Sequence, residues 1–229
     1  MVISLSLTAL ALNGISAYLL FFDQTKQSKK RLPENHEIIE NGNNSWLAKK
    51  LIIYAIAMTL LCIGISISLS LFNGSDSFLF NLKRICLLSL LWPIAFIDFK
   101  SYRIPNLFIV AGLSYRVIIF AFELFFESDG IWARTLSELI ASVALVAAAF
   151  LCGLLLKNSI GFGDIKLFII MGLMLGLDGI WSSVFVSLIV SFIISVFLLA
   201  TKKKGRKDAI PFAPAIMIGT YISIFLTGM

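Results

Sequence analysis

Residues 165–200 read IKLFIIMGLMLGLDGIWSSVFVSLIVSFIISVFLLA, and Lys166 and Asp178 are the only charges among them. A helix needs roughly 20 apolar residues to cross about 30 Å of hydrocarbon. This stretch is too long for one crossing and reads as two spans, 165–177 and 179–200, divided near Asp178. Working outward, apolar runs place further spans at 2–22, 48–72, 79–97, 105–126, 132–156 and 210–228. The expectation is an all-α polytopic transmembrane helical bundle of about eight spans. Because 165–177 is short, six or seven crossings with a re-entrant element is the alternative. Composition points the same way: 59% of residues are apolar, 14% are charged, and the mean hydropathy is +0.96, far from the balance of a water-soluble domain.

The chain is expected to form a single membrane-embedded domain, 1–229. No Lys or Arg precedes the first apolar run and no small-x-small site closes it, so 2–22 reads as a span rather than a cleaved signal. Fifteen of the 19 basic residues then fall in loops on one side: Lys26, Lys29, Lys30, Arg31, Lys49, Lys50, Lys100, Arg103, Lys157, Lys166, Lys202, Lys203, Lys204, Arg206 and Lys207. Positive-inside bias makes that side cytoplasmic and puts both termini outside. Lys83 and Arg84, at the outer end of the third span, are expected to snorkel to headgroups. The run 202–207, KKKGRK, reads as a stop signal and a contact for anionic membrane lipid, with no nucleic-acid role. Cys62, Cys86 and Cys152 are widely separated within apolar runs, giving neither a disulfide frame nor a metal site.

Of thirteen acidic residues, Asp23, Asp98, Asp164 and Asp208 sit where a cytoplasmic loop meets a span. Two have a distinctive setting: Asp98 in AFIDFKSYRIPN (95–106) and Asp164 in IGFGDIKL (160–167). The topology brings both to one membrane face, where their side chains could meet. Peptide hydrolysis by paired carboxylates needs one ionised, to take a proton from water, and one protonated, to polarise the scissile carbonyl; close approach of like charges supplies that split. Gly161 and Gly163 let backbone approach a neighbour or an extended substrate. Each feature also has a plain explanation: Asp164 as a helix N-cap, Asp98 as an interfacial partner of Lys100 or Arg103, and Pro105 near the first turn of a helix.

The combination resembles the type IV prepilin peptidases and the related archaeal preflagellin peptidases: Asp98 followed by Ile104-Pro105-Asn106, then Gly161-Phe162-Gly163-Asp164 with Lys166-Leu167, then Pro211-Phe212-Ala213-Pro214. The resemblance covers about residues 85–228. It implies that Asp98 and Asp164 are the catalytic pair, supported by Gly161, Gly163, Lys166, Pro105, Pro211 and Pro214. It implies a multi-pass protein of the inner membrane that removes the basic leader of prepilins, pseudopilins or related precursors at the cytoplasmic face. Lys166 is placed to tune the pair or to reach phosphate headgroups. Presenilin-type proteases share the GxGD aspartate, but the charged loop after Asp98 favours the prepilin side.

Many bacterial members carry two CxxC pairs that bind zinc in the loop after the first span, and also methylate the new N-terminus. Here the polar loop 23–47 has no cysteine, so neither a metal nor a cofactor is expected and methyltransferase activity is left open. His36 in that loop reads as solvated. The acidic Glu34, Glu37 and Glu40 would suit a basic leader, or simply solvate the loop. Glu123 and Glu138, near the outer ends of their spans, read as snorkelling or pairing with Arg134; Arg116, nearer mid-span, needs a carboxylate or carbonyl partner inside the bundle. The rival function is a proton-coupled small transporter, which would place acids near the midplane on broken helices.

Overall fold

The computed structural model describes residues 7–20, scattered helical positions between 53 and 64, and residues 78–127, 129–155, 161–202 and 210–227. The expected span 48–72 and the loop 23–47 lie largely or wholly outside these. The described residues form helices α1 (Leu7–Leu20), α2 (Phe78–Ser101), α3 (Asn106–Phe126), α4 (Ile131–Leu155), α5 (Phe162–Ala200) and α6 (Ala213–Thr227), without a strand.

Four of them, α2 to α5, are long and apolar enough to cross a membrane, as expected of a multi-pass membrane protein. That is the number the described residues support, against about eight expected. The first and last expected spans appear as shorter apolar helices, and the sixth and seventh run on as α5.

α2 is the centre of the bundle. Its most apolar window is 83% buried, against 11–33% for α3, α4 and α5. It is apolar around its whole circumference, as a helix surrounded by others must be, with Leu87, Leu88, Leu91 and Ile94 in the core. The Trp92 indole donates to Asn13 Oδ1 (3.1 Å), tying α1 to it. The outer helices turn Phe125, Trp132, Phe150, Phe185 and Phe192 outward, apolar surface of the kind lipid covers.

α5 is two limbs. Gly176 has φ 66° and ψ −173°, a backbone region reserved for glycine, and the chain reverses there. Before the break, Gly172 lies against Ser142, and Gly176 lies beside Ser137 and Glu138, so limb 162–175 runs antiparallel to α4. After it, the Ser223 hydroxyl donates to Ser182 Oγ (2.8 Å) and the Ser187 hydroxyl reaches the Ile216 carbonyl (3.4 Å). Limb 177–200 therefore runs antiparallel to α6, back toward the end where α5 began. A Cβ on Gly172 would sit 2.5 Å from Ser142 Cα, and one on Gly219 2.5 Å from Ser187 Cα; small residues let these helices touch backbone to backbone.

The charges inside the bundle correct the sequence reading. Lys83 and Arg84 do not snorkel: each is 1% exposed. Lys83 Nζ pairs with Glu123 (2.9 Å) and Glu138 (2.6 Å), while Arg84 donates to Asn81 Oδ1 (3.1 Å) and lies over the Phe80 ring. Glu123 and Glu138 also take Arg116 rather than Arg134, which pairs with Glu127. Arg116 finds both partners its depth demands, the carboxylates and the Leu173 carbonyl (3.1 Å). Sequence could not show this ring because its members come from α2, α3 and α4 and meet only through packing.

Candidate active site

The end of α2, the starts of α3 and α5, and the start of α6 converge at one end of the bundle. Asp98 sits one turn from the end of α2, 6% exposed. The helix closes just beyond it, where the Tyr102 amide donates to the Asp98 carbonyl (2.8 Å) and Tyr102 takes a left-handed φ of 50°, a common way to stop a helix. The carboxylate does not pair with Lys100 or Arg103. Its Oδ2 accepts the Ala213 amide at 3.0 Å, with the Phe212 amide close by. The first amides of a helix have no intrahelical acceptor and suit an anion. Pro211 and Pro214 flank those two amides; Pro214 occupies the first turn of α6, where its missing N–H leaves no bond unmade.

Asp164 is three residues past Gly161, the N-cap of α5. Its carboxylate folds back to the Gly161 amide, the reach that a side chain at the third helical position makes in a capping box. A Cβ on Gly161 would stand 3.3 Å from Asp164 Oδ2, so the glycine leaves room for that carboxylate. Asp164 is half-buried, and its carboxylate is near enough to Asp98 for the two charges to interact. Both carboxylates thus lie at helix starts, on residues 66 positions apart in the chain.

The motifs also bind to one another. Gly163 abuts Ile104, whose Cβ would lie 3.1 Å from a methyl at that glycine. Lys166 Nζ donates to Asn106 Oδ1 at 2.8 Å, so its ammonium joins the start of α5 to the start of α3. Pro105 precedes α3 with extended backbone (φ −68°, ψ 136°) and gives the strand-like step that lets Ile104 reach Gly163. Sequence reasoning missed Ile104, Phe212 and Ala213 as contacts. The last two had a signal, since a Pro-bounded helix start presents free amides. An apolar cleft of about 420 Å³ opens beside the site between α4 and limb 162–175, lined by Ser142, Val146, Ala147, Phe150, Ile165 and Ile169 among others. Among the described residues no three His, Cys, Asp or Glu side chains group as a metal site would.

A multi-helix membrane protein that gathers two carboxylates and three separate motifs at one junction of helix ends is a narrow class. Residues 85–200 match the sequence model of the type IV leader peptidase family, half of the chain, and the chain belongs to that family. The match takes in Asp98 and Gly161 to Asp164 and ends before Pro211. A prepilin leader peptidase/N-methyltransferase of Bacillus subtilis (strain 168) is 26% identical over 136 residues, 59% of this chain and 52% of that relative. The chain thus aligns with about half the length of that protein. No solved structure matches it.

Proposed function

We propose that this protein is a membrane aspartyl endopeptidase that removes the basic leader of prepilins, pseudopilins or related precursors. Asp98 and Asp164 act as the dyad, in the inner membrane, at the cytoplasmic face of a bundle of about eight spans with both termini outside. One observation carries the reading: two carboxylates from distant elements come near enough for their charges to interact, Asp98 held by the Ala213 amide at the start of α6 and Asp164 placed in the first turn of α5. Family membership supports the substrate class. In such a pair one carboxylate activates water while the other, protonated, polarises the scissile carbonyl, and the proton belongs to the pair rather than to either residue. Gly161 leaves space for Asp164, Gly163 lets α5 close on Ile104, Lys166 and Pro105 fix the α3–α5 junction, and Pro211 and Pro214 frame the amide that holds Asp98. Neither metal nor organic cofactor enters this chemistry.

The deciding experiment is cleavage of a basic-leader precursor by the purified protein in lipid, across pH, for the wild type, Asp98→Asn and Asp164→Asn. Cleavage with a bell-shaped pH profile, abolished in both variants while each stays folded, is the expected result. Undiminished cleavage by Asp164→Asn would sink the dyad.

One observation favours a second reading, proton-coupled transport: α5 is broken at Gly176 with Glu123 and Glu138 buried close by, an arrangement transporters use. Both acids are nevertheless engaged by Lys83 and Arg116, the arrangement of a structural charge cluster. Acidification of proteoliposomes by the wild type, lost in Glu138→Gln, would revive that reading.

A further inference from the structure

At the end of α2 opposite Asp98, Lys83, Arg116, Glu123 and Glu138 close a neutral ring of four buried charges, with both cations touching both carboxylates. The ring adjoins the break in α5. In an unbroken helix the Leu173 carbonyl would accept the Leu177 amide, a bond that spans Gly176. Here Arg116 Nε donates to the Leu173 carbonyl (3.1 Å), and the Leu177 amide donates to Ser137 Oγ (3.3 Å). Both halves of the opened bond have side-chain partners, one of them a member of the ring.

We propose that this ring is a positioning device for the candidate dyad, fixing from the far side of the bundle the two struts that carry Asp98 and Asp164. Lys83 and Asp98 are on the same helix, about 22 Å apart along its axis at about 1.5 Å per residue. Leu173 and Asp164 share limb 162–175. A helix is stiff, so a shift or rotation at one end arrives at the other. α2 carries Pro93 between Lys83 and Asp98, which removes one bond of its ladder, so limb 162–175, free of proline, is the more direct link. The end of limb 162–175 nearest Gly176 lacks the helix bond that would tie it to limb 177–200, and Arg116 holds it instead. Apolar packing would hold these helices together at lower desolvation cost, but it slides. A ring of directional bonds between two guanidinium edges, an ammonium and two carboxylates permits one register.

The proposal rests on the leader-peptidase reading for the purpose of the dyad, while its geometric part does not. Two variants test it in the full chain reconstituted in lipid. Arg116→Lys keeps the charge and lacks the Nε that holds Leu173. Lys83→Met/Glu123→Gln removes one charge of each sign and leaves the Arg116–Glu138 pair. Spin labels at Phe99→Cys and Phe162→Cys, both exposed in the parent, report the separation of the two aspartate-bearing ends in a background with Cys62, Cys86 and Cys152 changed to Ala. Kinetics are measured on the same ring variants without labels. Both are expected to shift or broaden the label distances and to lower kcat about 10²-fold with KM within about twofold, since roughly 1 Å of misplacement carries that penalty. A purely structural ring would lower thermal stability and leave kcat of the folded protein and the label distances unchanged, and that result overturns the proposal. If Lys83→Met/Glu123→Gln fails to fold, Arg116→Lys decides alone. A wild type that cleaves nothing counts against the leader-peptidase reading, and the label distances still decide the ring.

Discussion

Gly163 and Ile104 are in van der Waals contact across the junction of α5 and α3: a methyl group on Gly163 would lie 3.1 Å from Ile104 Cβ and 3.3 Å from its Cγ1. The nearest atom is Cβ, fixed to the Ile104 backbone, so a methyl group on Gly163 must push the two helix starts apart by a few tenths of an ångström. Gly163→Ala is therefore expected to cost about 1 kcal/mol of stability and to reduce cleavage disproportionately, because the displaced backbone carries Asp164. Gly172→Ala differs, since its Cβ would meet the Ser142 backbone at 2.5–2.6 Å. It should cost about 1–3 kcal/mol and lower activity only in step with the folded fraction. Thermal unfolding in detergent beside specific activity per folded molecule separates the two.

Asp98→Asn keeps an oxygen to accept the Ala213 amide and loses the charge. Its melting temperature should stay near that of the wild type while cleavage falls by about 10²–10⁴-fold, the usual contribution of a positioned acid or base. Asp98→Leu removes the acceptor as well and leaves the amides at the start of α6 unpaired, so it should also unfold at lower temperature. Similar melting temperatures for the two variants would mean that the Asp98–Ala213 bond contributes nothing to the fold.

At Gly176 a Cβ has room, with its nearest neighbours 3.6 Å and 3.7 Å away, so only the backbone resists substitution. Gly176→Ala should cost about 1–3 kcal/mol through conformation alone. Chemical denaturation monitored by tryptophan emission would measure it, and a neutral result would mean that the reversal at 176 is not as sharp as φ 66° and ψ −173° make it.

Lys166→Met removes the hydrogen bond to Asn106 Oδ1 at an exposed position. A loss of about 0.5–1.5 kcal/mol is expected, with cleavage reduced less than about tenfold. Asn106→Ala should give the same phenotype, and the double variant should be no worse than either single one. Additive losses in that cycle would assign Lys166 a role separate from Asn106.

The helical membrane architecture was legible because α3, α4 and α5 keep apolar faces toward lipid and only a few charges interrupt their runs. That Asp98 and Asp164 would come near one another was expected from topology, since both fall where a basic loop joins a span, and their charges do come within reach of each other. The reversal within α5 was legible as an expected division near Asp178; the turn itself falls two residues earlier, at Gly176, where glycine alone accepts the backbone. Around Asp98 the Pro-bounded helix start was a legible signal of free amides, but that Asp98 would meet them was not, because main-chain amides carry no signature in side-chain identity. The ring of Lys83, Arg116, Glu123 and Glu138 was misread because a single buried charge is ambiguous in sequence, and only the fold reveals whether it faces headgroups or a counter-ion.

The amide that holds Asp98, that of Ala213, opens α6, which is synthesised after every other described helix. A nascent chain already inserted through α5 carries both aspartates yet has no Ala213 amide to fix the first of them. On the proposed reading a half-built protein lacks a complete site, and ribosome-bound chains arrested before residue 210 should be inert toward a precursor that the full chain cuts.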